Sequence, residues 1–164
     1  MKKLLILSLS FVLLIGGLFF TDSSNKAAAA SGSKTFTVEQ GGKWKVRIDF
    51  PTDANPKYHG HVYNPKGKQV GVENLDGSKS HGDSWADVPS KVKKKIKEHK
   101  EYKKYKEKQE KLDKAAKQIK SKKLNLKKTA DIIIAIGIVV AATATWFFPG
   151  DDVAAWGNLL RALA

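Results

Sequence analysis

Trp44-Lys45-Val46-Arg47-Ile48-Asp49-Phe50 alternates apolar and charged residues, the period of two that marks a half-buried strand. Gly41-Gly42 separates this run from residues 35–38, which predicts a first hairpin. Downstream, Pro51, Asn55 and Pro56 make residues 51–57 a loop. Residues 58–63 and 68–74 flank Asn64-Pro65-Lys66-Gly67, a good turn sequence, and predict a second hairpin. Leu75-Asp76-Gly77-Ser78 is a further turn. The expected fold is therefore α+β, a small antiparallel sheet of about four strands, which is near the lower limit of independent stability. Cysteine is absent, so neither a disulfide nor a thiolate metal site can support the sheet. Val92 and Ile96, on the first turns of the next helix, are the natural cover.

The sheet region occupies the middle of a 164-residue chain. Met1-Lys2-Lys3 and the apolar run 4–20 have the charged head and greasy body of a secretory signal, and Ala27 to Ala30 supply small residues for cleavage. A retained signal anchor is the competing reading, and either places residue 31 onward outside the cytoplasmic membrane. The expected organisation is a signal peptide (1–30), a small β-rich extracytoplasmic domain (31–87), a Lys-rich helix (88–128), a hydrophobic membrane segment (129–149) and a short amphipathic tail (150–164).

The formal charge of +14 is concentrated. Residues 89–128 hold 18 lysines against five acids, whereas residues 31–87 carry eight basic and seven acidic groups. Asp87 is the expected N-cap of the Lys-rich helix, with Pro89 in its first turn. Tyr105, Leu112, Ile119 and Leu126 recur every seven residues, which reads as one solvated helix with a narrow apolar stripe rather than a coiled-coil dimer. Anionic membrane lipid and cell-envelope polymers are the partners this charge favours in an exported protein, with nucleic acid a further possibility. Residues 132–148 carry no charge; at 1.5 Å per residue they span about 25 Å, the short end of a bilayer crossing. Because the sheet alone offers too little surface to bury them, a transmembrane-type helix is expected. Lys122, Lys123, Lys127 and Lys128 directly before it run against the usual cytoplasmic placement of lysine. The segment could equally lie on a membrane, or be released into one.

Chemistry concentrates in Tyr58-His59-Gly60-His61-Val62-Tyr63. An extended backbone puts His59 and His61 on one face, with their roots about 6.5–7 Å apart. Gly60 between them leaves the backbone open to a ligand. Three readings stay open. His59 and His61, with His81 or Asp83, could bind zinc or another divalent ion. His59 and His61, with His81, could act as general base and acid on a phosphodiester, with Asn74, Asp76, Lys93 and Lys94 holding the substrate. Or the histidines are simply solvent-facing strand residues.

The series Trp44…Asp49-Phe50-Pro51, His59-Gly60-His61-Val62 and Asn74-Leu75-Asp76-Gly77-Ser78…His81 resembles small C-terminal toxin domains of bacterial polymorphic toxins, which pair a W-x-x-x-x-D-x-P strand with an H-x-H-V strand and an N-x-D-G turn. The resemblance covers residues 44–97. It implies a domain that attacks nucleic acid in a target cell, with an immunity protein as partner, and it marks His59, His61, Asp76 and His81. No long delivery module precedes these motifs in the sequence. Two functions are thus expected to compete: an exported, membrane-associated toxin-like effector with a His-dependent nuclease site, and a non-enzymatic cationic protein that disrupts or anchors to an envelope.

Overall fold

A computed structural model describes residues 32–52, 54–143 and 151–164. Strands β1 (Ser33–Glu39), β2 (Lys43–Asp49), β3 (His59–Tyr63) and β4 (Gln69–Asn74) form one antiparallel sheet in chain order. Helices α1 (Ser90–Glu98), α2 (Lys100–Ser121), α3 (Thr129–Thr143) and α4 (Asp151–Leu163) follow. The α+β class, the four-stranded sheet and both hairpins agree with the alternation and the turn residues. The second hairpin closes as its sequence dictates: Asn64 Oδ1 accepts from the N–H groups of Lys66 and Lys68, and Gly67 takes φ 79°. The expected signal peptide lies outside the described residues, as do residues 144–148 of the apolar run.

Register assigns each face of the sheet. Val46 pairs with Phe36 and Val62, and Ile48 with Gly60. These residues share a buried core with Tyr58, Leu75, Trp85, Val92 and Ile96, so α1 covers the sheet as the sequence suggests. On the opposite face Arg47 pairs with His61, and Asp49 with His59. Gly60 belongs to the core face, which corrects its expected role. Trp85 Nε1 donates to the Gly60 carbonyl at 2.8 Å, and a Cβ on Gly60 would stand 2.8 Å from Trp85 Cζ2. The missing side chain makes room for the indole, not for a ligand.

The Lys-rich segment is two helices rather than one. α1 begins at Ser90 with Pro89 as the flanking residue and no side-chain cap, so Asp87 does not cap it. The break falls at His99, whose ψ of 138° leaves the helical region. Its ring stacks on Phe36 at 4.1 Å, and its Nδ1 accepts from the Glu101 N–H, capping α2. A break needs no glycine or proline where a side chain can both bury itself and cap the next helix. Leu126 lies beyond the end of α2 at Ser121, but the rest of the expected stripe, Tyr105, Leu112 and Ile119, is buried together with Tyr102 and Gln109. They pack within the chain rather than facing water.

α3 lies along α2, with Ala135, Ile136, Val139 and Thr143 buried. Trp156, Leu159 and Leu160 of α4 are buried as well. Asn158 Nδ2 donates to the Pro51 carbonyl at 2.7 Å, tying α4 to the loop after β2. The apolar segment thus finds its cover in α2 and α4, a surface that counting the sheet alone leaves out. Among the described residues no helix is long and apolar enough to cross a membrane.

Candidate histidine centre

β3 presents His59 and His61 on the face away from the helices. A two-residue turn delivers the third imidazole. Ser80 and Asp83 exchange backbone hydrogen bonds at 3.0 and 2.9 Å, and the residues between them, His81 and Gly82, take φ of 52° and 78°. Two positive φ values in such a loop ordinarily call for Asn-Gly or Asp-Gly. A histidine held in the left-handed region is uncommon, and this one turns its ring onto the sheet. His81 Nε2 lies 3.4 Å from His59 Nε2. Ring centroids are 5.2 Å apart for His59 and His61, 5.1 Å for His59 and His81, and 6.2 Å for His61 and His81.

The other ring nitrogens are occupied. His59 Nδ1 meets the Lys57 carbonyl at 3.1 Å and His61 Nδ1 meets Gln69 Oε1 at 2.9 Å. Both partners are acceptors, so Nδ1 carries the proton in each ring and Nε2 presents its lone pair. His59 is only 4 % exposed. Burial holds its pKa below the ordinary imidazole value, outweighing the Lys57 carbonyl and the Asp49 charge that act the other way. His59 therefore stays neutral at pH 7. His61 Nε2 is buried with no hydrogen-bond partner, although Asp49 Oδ2 lies 3.2 Å away.

Asp49 and Arg47, which alternation puts on this same face, complete the surroundings. Arg47 Nε and Nη2 donate to Asp49 Oδ1 and Oδ2 at 2.7 and 2.8 Å, a two-pronged pair that fixes the carboxylate. Asp49 Oδ2 stands 3.9 Å from His59 Nε2. A cavity of about 410 Å³ opens here, lined by Arg47, Asp49, Asn55, His59 and His81 among others. One wall is stiffened by Asn55, whose Nδ2 donates to Asn74 Oδ1 and to Ser80 Oγ, both at 3.1 Å.

Of the residues expected at the site, His59, His61 and His81 come together, and the rest lie outside the centre. Asn74 donates to Ser78 Oγ and the Lys79 carbonyl, bracing the turn beneath His81. Asp76 pairs with Lys57 at 2.6 Å and accepts from Ser78. Burial raises its pKa, yet these donors outweigh it and leave the carboxyl below its usual range. Lys93 Nζ donates to the Trp85 and Ala86 carbonyls, and Lys94 is exposed on α1, which covers the other face. Asp83 Oδ1 accepts from the Ser84 N–H at 2.7 Å and is not among the three groups whose donor atoms lie within 4.8 Å of one another, which are the imidazoles. Arg47, Asp49 and Gln69 join the site although sequence reasoning missed them. Placing the H-x-H strand beside β2 would have found the first two, since cross-strand neighbours share a face. No protein family, curated protein or solved structure matches this chain.

Proposed function

We propose that this chain is an exported, toxin-like effector of the bacterial envelope whose β domain carries a histidine-dependent phosphodiester-cleaving site. The observation that carries the reading is the convergence of three imidazoles on one point, beside a carboxylate held by arginine, at the edge of a cavity. Structural histidines scatter; a cluster of titratable groups in a cleft is a reactive-site candidate. The Arg47 guanidinium supplies a fixed positive charge for a phosphate oxygen. Nucleic acid is the substrate class on this reading, an immunity protein guards the producing cell, and the lysines of α2 hold the protein to anionic envelope surfaces. Expression without residues 1–30 should arrest bacterial growth and degrade cellular nucleic acid, and His81→Ala should abolish both effects in a folded protein. Equal toxicity of the two proteins would refute the site.

A second reading is favoured by Ile133 and Ile134, 48 % and 47 % exposed on α3 close to the lysines that end the basic segment. Here the chain acts on lipid without catalysis. Insertion of residues 129–149 as a transmembrane helix would require α3 to leave α2 and expose Ala135, Ile136 and Val139. Dye release from anionic vesicles that is unaffected by His81→Ala would support this reading over the first.

A further inference from the structure

The geometry points to a zinc site: His59, His61 and His81 bind one zinc ion through their Nε2 atoms, with a fourth coordination position open to the cavity. As a hydrolytic centre this rests on the function proposed above; as a metal site it stands on geometry alone. Zinc–imidazole bonds of about 2.0–2.1 Å in a tetrahedron separate the ligand nitrogens by about 3.3–3.4 Å. His59 and His81 already stand at 3.4 Å, and all three donor atoms lie within 4.8 Å of one another. An acid–base pair acting on an in-line displacement must instead reach oxygens on opposite sides of phosphorus. Two Nε2 atoms that face each other at this distance serve one point, not two.

Two further features fit a metal. Both strand imidazoles donate Nδ1–H to a carbonyl oxygen, one from Lys57 and one from Gln69, the outer contact that orients metal-binding histidine and fixes its tautomer. And His61 Nε2, a buried atom in a residue only 8 % exposed, has no hydrogen-bond partner while its lone pair faces the Asp49 carboxylate. Lone pair against anion is repulsive; a cation held by the three nitrogens relieves it. Asp49, fixed by Arg47, then accepts a hydrogen bond from the water on zinc rather than replacing it. That water gives one proton to solvent and attacks phosphorus: a new P–O bond forms, the ester P–O bond breaks, and the leaving oxygen takes a proton back from solvent, so one water is consumed per cleavage.

The test is zinc titration of the full chain after chelator treatment, against a chromophoric competitor, with cobalt(II) as spectroscopic probe. One zinc per chain is expected, together with the intense visible bands of four-coordinate cobalt(II). His81→Ala, a change in an exposed turn that spares the core, should weaken binding at least about 100-fold, and Gln69→Ala about 10-fold, in the range of outer-contact losses. His99→Asn, which alters the fourth histidine but keeps a capping side chain, should bind as the parent does. Circular dichroism establishes that each variant is folded. No stoichiometric zinc, or undiminished binding in folded His81→Ala, would overturn the site. Zinc bound without phosphodiester cleavage would remove the proposed function and leave the metal site standing. Cleavage that survives complete metal removal would leave the proposed function standing and overturn the hydrolytic role of the zinc.

Discussion

A methyl group at position 60 would sit 2.8 Å from Trp85 Cζ2, well inside contact distance, and the indole cannot yield because its Nε1 is bonded to the Gly60 carbonyl. Gly60→Ala should therefore destabilise the protein by about 1–3 kcal/mol, the usual cost of overpacking a core, measured as a lower midpoint in urea unfolding. Asp113 works in the opposite sense. Burial pushes its carboxyl above the usual value, with the Asp76 charge adding to the effect and Gln109 only partly offsetting it. A carboxyl whose pKa is higher folded than unfolded costs stability while ionised; the cost fades as pH falls through the raised folded value and is gone below the unfolded value of 3.8. Asp113→Asn should thus stabilise the protein at pH 7, by less than about 1 kcal/mol for a half-exposed group. Its advantage should vanish as the pH is lowered through the carboxylate range in thermal melts. At this scale the H-x-H pair was legible because strand periodicity alone puts both rings on one face. His81 was legible only as a nearby histidine: its arrival depends on two left-handed residues in a turn, and composition does not announce that a histidine will accept such a backbone.

The elements divide along the same physical line. Hairpins joined by glycine-rich turns are local, and residues 35–49 and 58–74 carry all the information needed to place them. The break at His99 is not local, since it depends on Phe36, which lies more than sixty residues earlier in the chain. α3 illustrates the same dependence. Its apolar composition reads as a membrane crossing when the only visible cover is a four-stranded sheet, and as a packed helix once α2 and α4 are in place beside it. One contact ties this arrangement to the site loop: Asn158 Nδ2 to the Pro51 carbonyl, buried at 2.7 Å. Asn158→Ala leaves that carbonyl without its donor and should cost about 1–3 kcal/mol. Amide hydrogen exchange should show faster opening of α4, while β2 and β3 stay protected. Uniform loss of protection across the sheet would show that α4 and the β domain unfold as one unit.

The molecule as a whole joins a nearly neutral sheet to a strongly basic helical segment, and the proposed function gives the two parts different jobs: chemistry in the first, attachment in the second. Lysines attract anionic surfaces through a field that salt shortens, from about 10 Å at 0.1 M ionic strength to about 3 Å at 1 M. Retention of the full chain on anionic vesicles should accordingly fall steeply between those concentrations. Retention unchanged by salt would instead make the apolar face of α3, with Ile133 and Ile134, the membrane contact. Neither result bears on the histidine centre, which the Lys-rich segment does not touch. The centre is tested most directly by incubating the purified chain with single-stranded RNA and DNA beside folded His81→Ala. Cleavage by the parent protein is expected, with a rate at least about 100-fold slower in the variant, since one of three converging nitrogens is gone. Equal rates for the two proteins, or no cleavage by the zinc-loaded parent, would contradict a catalytic histidine centre.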